Sequence, residues 1–143
     1  MNGEIPKCVL LADRHHGLIE GIDGLLKTTF ATVVMVTDEN SLIESASRMQ
    51  PAVVVADLSV PGGGGFAWLG RLLGQSPASK VIVLSVHDEP TVVQSALEAG
   101  ASGFVLKRAI ASDLLNAVDA VLAGKRYVSP AISLAAVESR LRK

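Results

Sequence analysis

The chain has 143 residues, 49% of them hydrophobic, and its 13 basic and 14 acidic residues leave a net charge of −1. This length suits one domain with one core, and the apolar runs are too short for a membrane-spanning helix of roughly 18 residues. The balanced charge argues against direct binding to nucleic acid or a membrane surface, and the single cysteine and unremarkable start indicate a cytoplasmic protein.

Five short apolar runs follow one another along the chain, and their residues are continuous rather than alternating with polar ones. Continuous apolar runs are typical of strands that are buried on both faces of a parallel sheet. The predicted strands cover residues 8–13, 32–36, 52–57, 80–85 and 103–107.

Segments with helical apolar spacing separate these runs. The predicted helices lie within residues 18–26, 42–49, 66–73, 88–100 and 112–124. Pro51 ends the second helix, and Asp88 and Ser112 are predicted to cap the amino termini of the fourth and fifth. Trp68, in the third helix, is predicted to lie near the protein surface.

Strand and helix alternate five times, which predicts an α/β fold: a doubly wound, five-stranded parallel sheet flanked by helices. The predicted domain covers residues 7–124. Residues 125–143 differ in pattern and are expected to form a linker or an extra helix that leads to a further domain.

Polar side chains stand at the ends of the predicted strands. In open α/β sheets, ligands bind beyond the carboxyl ends of the strands. Asp13, Asp57, Ser85 and Lys107 end four different strands, so their side chains converge if these strands are neighbours. A carboxylate can attack phosphorus to form an acyl phosphate, and a lysine and a hydroxyl can bind the phosphoryl oxygens. A loop with four consecutive glycines, residues 62–65, follows Asp57 and leaves room for close backbone approach.

Four segments together resemble the receiver domains of bacterial two-component response regulators, a CheY-like family: LLADRH, VVVADLSVPGGGGF, VIVLSVHDE and EAGASGFVLKRA. The resemblance covers residues 8–124. The segments LSVHDE, GASGFVLK and GKRYVSP are most similar to the subfamily that carries a LuxR-type helix-turn-helix output domain, which these residues do not include. The resemblance implies a flavodoxin-like strand order of 2-1-3-4-5 and a phosphorylation switch rather than an enzyme.

The resemblance assigns a role to each matching position. It implies that Asp57 is the phosphoacceptor, Ser85 the switch hydroxyl, Lys107 the invariant lysine and Phe104 the aromatic switch. The implied partners are a sensor histidine kinase, a DNA-binding output domain of the same or another chain, and a second copy in a homodimer. The implied output is the control of transcription, through a surface made by the fourth helix, the fifth strand and the fifth helix.

One position departs from the family. The resemblance implies Mg²⁺ held by an acidic pair, by Asp57 and by the backbone carbonyl of Ser59, but the pair here reads Asp13-Arg14. Two unit charges about 4 Å apart interact by roughly 4 kcal/mol at an effective dielectric near 20, enough to offset weak metal binding. Either Arg14 points to solvent and leaves a weakened metal site, or it is a built-in cation. In the second case it lowers the pKa of Asp57, and the domain signals without phosphorylation.

Two other functions fit the residues less well. A phosphatase with an aspartate nucleophile, similar to the haloacid dehalogenases, has a second aspartate two residues after the first, where this chain has Ser59. A nucleotide-binding loop is disfavoured because the glycine run is not followed by the lysine and Ser/Thr that bind phosphates.

Overall fold

The structure, a computed structural model, describes residues 8–14, 16–61, 65–130 and 132, without the side chains of residues 16–20. Residues 131 and 133–143 of the expected linker or extra helix, and three of the four loop glycines, lie outside these residues. Within the described part of the chain, no helix is long and apolar enough to cross a membrane.

The described strands form one parallel sheet in the order β2-β1-β3-β4-β5-β6. Their bounds are β1 Cys8–Ala12, β2 Thr32–Val36, β3 Val53–Asp57, β4 Lys80–Ser85, β5 Gly103–Leu106 and β6 Tyr127–Val128. The doubly wound fold and the order of the first five strands are confirmed. The two-residue strand β6 has no counterpart among the predicted strands, and it adds a sixth strand to the edge of β5.

In the described part of the chain, five α-helices connect and cover the strands. They are α1 His16–Leu26, α2 Glu39–Met49, α3 Ala67–Gln75, α4 Pro90–Glu98 and α5 Ile110–Leu122. Asp38 caps α2 by accepting a hydrogen bond of 2.8 Å from the backbone N–H of Ser41. Both predicted caps farther along are wrong. Glu89 precedes α4 without a side-chain cap, and α5 begins two residues before Ser112 because the 3-10 turn Lys107–Ala109 leads directly into it.

The sheet separates two cores. Leu10 and Val54 face one core, and the preceding residues Val9 and Val53 face the other, as expected for strands covered on both sides. Strand β2 is an exception, because it lies at the edge and is largely half-buried or exposed. The prediction for Trp68 is wrong: its side chain is 2% exposed, because α3 turns this residue toward the sheet together with its neighbour in sequence.

The topology fixes where the polar strand ends meet. All strands are parallel, so their carboxyl ends lie along one edge of the sheet. The chain passes from β1 outward to β2 and then back to β3 on the other side of β1, which opens a crevice between the β1 and β3 ends. Strands β4 and β5 extend that edge, so the residues that end four strands lie along one side of the domain.

Candidate functional site

Three charged groups meet at this edge. Asp57 ends β3, and Lys107 follows the last residue of β5. The Lys107 ammonium donates to Oδ2 of Asp57 and lies 3.9 Å from Oδ2 of Asp13. Both carboxylates are buried, and Lys107 is nearly so. One lysine thus faces two carboxylates that come from distant parts of the sequence.

The surroundings of Asp57 keep it ionised. Burial works to raise the pKa of Asp57, but the Lys107 ammonium and the backbone N–H of Ser59 together hold it below its ordinary value. The Ser59 N–H donates to Oδ1 over 3.0 Å. The sequence suggests Arg14 as a cause of such a lowering, whereas the groups responsible are Lys107 and Ser59. Asp57 therefore presents a carboxylate, the form that can act as a nucleophile.

A cleft of about 300 Å³ opens beside Asp57. Its lining residues are Asp57, Leu58, Ser59, Ser85, Val86, His87 and Lys107. The Ser85 hydroxyl is buried and accepts a hydrogen bond of 2.9 Å from the backbone N–H of His87. A group added to Asp57 on this side has room, with an ammonium and a hydroxyl in the walls of the same cleft.

Phe104 lies apart from this cleft. It is fully buried in β5, in the core that contains Trp68 and the buried face of α4. Its backbone carbonyl accepts a hydrogen bond of 3.0 Å from the N–H of Ser129, in the segment after β6. The predicted acceptor, switch hydroxyl and lysine thus line one cleft, and the predicted aromatic switch lies in the core behind it.

Arg14 contacts the site from the loop after β1. Its Nη1 donates to the backbone carbonyl of Ser59 over 3.1 Å, although the side chain is exposed. From the sequence, Arg14 is expected either to point to solvent or to lie in the pocket. The structure combines the two, because the side chain is exposed and also contacts the rim of the cleft. A contact between loops 45 residues apart has no signal in the sequence.

The described residues do not fit a bound Mg²⁺. The carbonyl of Ser59 accepts from Arg14, and the two carboxylates that a metal would use face Lys107. Within the described residues, no group of three His, Cys, Asp or Glu side chains could hold a metal ion. Mg²⁺ requires near-octahedral oxygen ligands and compensating negative charge, which Asp13 and Asp57, facing Lys107 with Arg14 at the rim, do not offer among the described residues.

A second buried polar cluster adjoins the end of β5, and sequence reasoning missed it. The Ser129 hydroxyl donates to Oδ2 of Asp113 over 2.8 Å and accepts from the N–H of Leu106 over 3.0 Å. Burial and the nearby Asp113 carboxylate raise the pKa of Tyr127. The available signal was the strand-forming pair Tyr-Val in GKRYVSP, immediately before Ser129.

Comparisons with known proteins identify the family of this chain. Residues 9–119 match the family described as the response regulator receiver domain. The transcriptional regulatory protein DegU of Brevibacillus brevis is 31% identical over 127 residues, which cover 87% of this chain and 54% of DegU. The chain thus spans about half the length of that relative.

Two solved structures are similar throughout. A LuxR-family two-component response regulator from Aurantimonas sp. SI85-9A1 superposes with a TM-score of 0.84 at 30% identity, covering 95% of this chain and 99% of the other. The isolated receiver domain of RcsB from Salmonella enterica serovar Typhimurium, in the presence of the phosphomimetic BeF3−, gives 0.78 at 28% identity, covering 95% and 98%. On the family match, the fold and these likenesses, this chain belongs to the response regulator receiver domain family.

Proposed function

We propose that this domain accepts a phosphoryl group on Asp57 from a partner histidine kinase and thereby controls an output domain that regulates transcription. The observation that carries the proposal is the ionised Asp57 at the wall of a cleft whose other walls hold Lys107 and Ser85. The structure of the RcsB receiver in the presence of a phosphomimetic, and the transcriptional role in the name of DegU, support the same function here.

The transfer step needs few groups. An Asp57 oxygen attacks the phosphorus of a phosphohistidine, a P–O bond forms, and the P–N bond breaks as the imidazole leaves and takes up a proton. Transfer of this kind depends on positioning and on charge compensation at the phosphoryl oxygens. Lys107 already contacts Asp57 and is placed to follow the new charge, and Ser85 lies across the cleft.

The response to phosphorylation starts from two bonds. The Ser85 hydroxyl accepts from the N–H of His87, and we expect it to turn and donate to a phosphoryl oxygen instead. Phe104 then shifts in the core, and the surface of α4, β5 and α5 changes its population of states. Because the backbone N–H of Ser129 donates a hydrogen bond to the carbonyl of Phe104, we expect a movement of β5 to shift the segment after β6 as well.

A phosphatase with an aspartate nucleophile receives less support. Its general acid would come from the residue two positions after Asp57, and here Ser59 presents a backbone N–H to the Asp57 carboxylate. We therefore propose a switch that holds the phosphoryl group, rather than an enzyme that turns substrate over.

The test is the intact mass of the protein after incubation with acetyl phosphate. We expect a gain of about 80 Da on the wild type and none on Asp57→Asn. The matched control is Asp88→Asn, an exposed acid of the neighbouring loop, which should gain the same mass as the wild type. Labelling of Asp57→Asn equal to that of the wild type would place the acceptor elsewhere. No labelling of the wild type would favour a receiver that works without phosphorylation.

A further inference from the structure

Arg14 joins the two loops that a metal ion would join in this family. It extends from the loop after β1, and its guanidinium binds the carbonyl of Ser59 in the loop after β3. The resemblance to receiver domains implies a metal held at the β1 end, by Asp57 and by this same carbonyl. One N–H of Arg14 therefore already binds an oxygen that would be a metal ligand.

Among the described residues, the charges around Asp57 are balanced without a metal. The carboxylates of Asp13 and Asp57 face the ammonium of Lys107, and Arg14 adds a second positive charge at the rim. A divalent cation would leave a net positive charge among these described groups, of which Asp13, Asp57 and Lys107 are largely buried and their charges poorly screened. With an aspartate in place of Arg14, the same cluster would carry the excess negative charge that a divalent cation compensates.

The guanidinium also has the donors that phosphorylation requires. It presents five N–H donors in a planar fork, and in this structure one of them binds Ser59. Because Arg14 is already held at the rim, it can turn toward a phosphoryl group on Asp57, whose negative charge offsets the cost of taking the guanidinium out of water. Ser59 itself lines the cleft beside Asp57, so the guanidinium is held at its rim.

We infer that Arg14 takes the place of the divalent cation in this site, so that Asp57 is phosphorylated, and its acyl phosphate stabilised, without a metal. The inference rests on the proposed function. With acetyl phosphate as donor, an Asp57 oxygen attacks phosphorus and forms a new P–O bond. The P–O bond to acetate breaks, and acetate leaves with the bonding electron pair.

The first measurement is isothermal titration calorimetry with MgCl2 on the wild type, Arg14→Asp and Arg108→Asp. We expect Arg14→Asp to bind Mg²⁺ at least about tenfold more tightly than the wild type, because it restores an acid at the ligand position. Arg108→Asp makes the same charge change at an exposed arginine and should not gain this affinity. Equal affinity in the wild type and Arg14→Asp would overturn the inference.

The second measurement is labelling by acetyl phosphate, followed by intact mass, in MgCl2 and in EDTA. We expect equal labelling of the wild type in both, and a fall of about tenfold in EDTA for Arg14→Asp. Arg14→Gln, which removes the charge, should be labelled more weakly than the wild type in EDTA. Labelling of the wild type only with Mg²⁺ would overturn the inference.

The two measurements keep the two proposals apart. If no variant is labelled in either buffer, the proposed function fails, and the phosphorylation half of the inference fails with it. The calorimetry still decides separately whether Arg14 excludes the metal. Since Arg14 is exposed, its variants should remain folded, which thermal unfolding followed by circular dichroism would check.

Discussion

Asp57 and Asp113 are both buried carboxylates, yet they are held by different kinds of donor. Asp57 accepts from an ammonium and a backbone N–H, and it faces a cleft. Asp113 accepts from the hydroxyls of Ser129 and Ser112, beneath the segment that follows β6. A charged donor neutralises a carboxylate, whereas neutral donors leave its charge to act on its neighbours.

The pKa values of Asp57 and of Tyr127, which lies near Asp113, differ in line with these two kinds of donor. The pKa of Asp57 itself is lowered by its charged partner, which leaves an ionised oxygen beside open space. Asp113 instead contributes to raising the pKa of Tyr127. The arrangement around Asp57 suits a reactive group, because the Lys107 ammonium can move with negative charge that is added there. The other suits an anchor, because the hydroxyl bonds fix one chain segment to another.

The largest expected effect comes from removing the charged partner. Lys107→Met should destabilise the fold at pH 7 by about 2 kcal/mol, because it leaves two buried carboxylates without the ammonium that faces them. The loss should shrink as the pH falls and the Asp57 carboxylate binds a proton. Chemical denaturation at neutral and acidic pH measures this.

The direction of this pH dependence of stability follows from the pKa of Asp57. In the wild type it is lowered, so its stabilising contribution is present above the unfolded pKa and is lost as the pH falls through the folded value. Without Lys107, burial is opposed only by the Ser59 hydrogen bonds among the groups named above, so the folded pKa of Asp57 rises and this contribution shrinks. Lys107→Arg, which keeps a cation, is the control and should lose less stability. An equal loss for Lys107→Met at both pH values would show that packing, rather than charge, is responsible.

A smaller effect is expected from removing a neutral donor. Ser129→Ala should destabilise the fold by about 1–2 kcal/mol, because Oδ2 of Asp113 and the N–H of Leu106 both lose this partner in a buried place. Thermal and chemical unfolding measure the change. Ser95→Ala, which removes an exposed helix hydroxyl, is the matched control and should stay within about 0.5 kcal/mol. Equal effects of the two variants would contradict an anchoring role for Ser129.

The smallest expected effect concerns the only tyrosine of the chain. Tyr127 should titrate above the ordinary value of about 10, and Asp113→Asn should bring its pKa down toward that value. The ultraviolet absorbance of the phenolate reports the titration. Because the folded pKa is raised, its stabilising contribution is present below the unfolded pKa and is lost as the pH rises through the folded value. An unchanged titration in Asp113→Asn would mean that burial alone acts on Tyr127.

Much of the fold could be predicted because its signals are local. Each strand of the first five is a continuous apolar run, and parallel strands bring their carboxyl ends to one edge. That rule, together with the strand order that the resemblance implies, predicts that Asp57, Ser85 and Lys107 lie close together, and the cleft contains all three. The resemblance to receiver domains adds their roles, which stay predictions.

The missed features depend on contacts that no local pattern encodes. Strand β6 has two residues, too few for any period to appear. Asp113 has the sequence pattern of an exposed helix acid, and its burial depends on a segment 16 residues later. The prediction for Trp68 fails because the buried face of a nine-residue helix is hard to assign from spacing alone.

The direction of β6 determines where the chain leaves the domain. Because β6 runs parallel to β5, residues after Val128 emerge at the same edge of the sheet as Asp57, rather than at the opposite edge. Ser129 and the buried Ile132 then hold this exit against the domain. The segment that follows β6 therefore leaves from the side of the domain on which the acceptor lies, two strands beyond the strand next to β3.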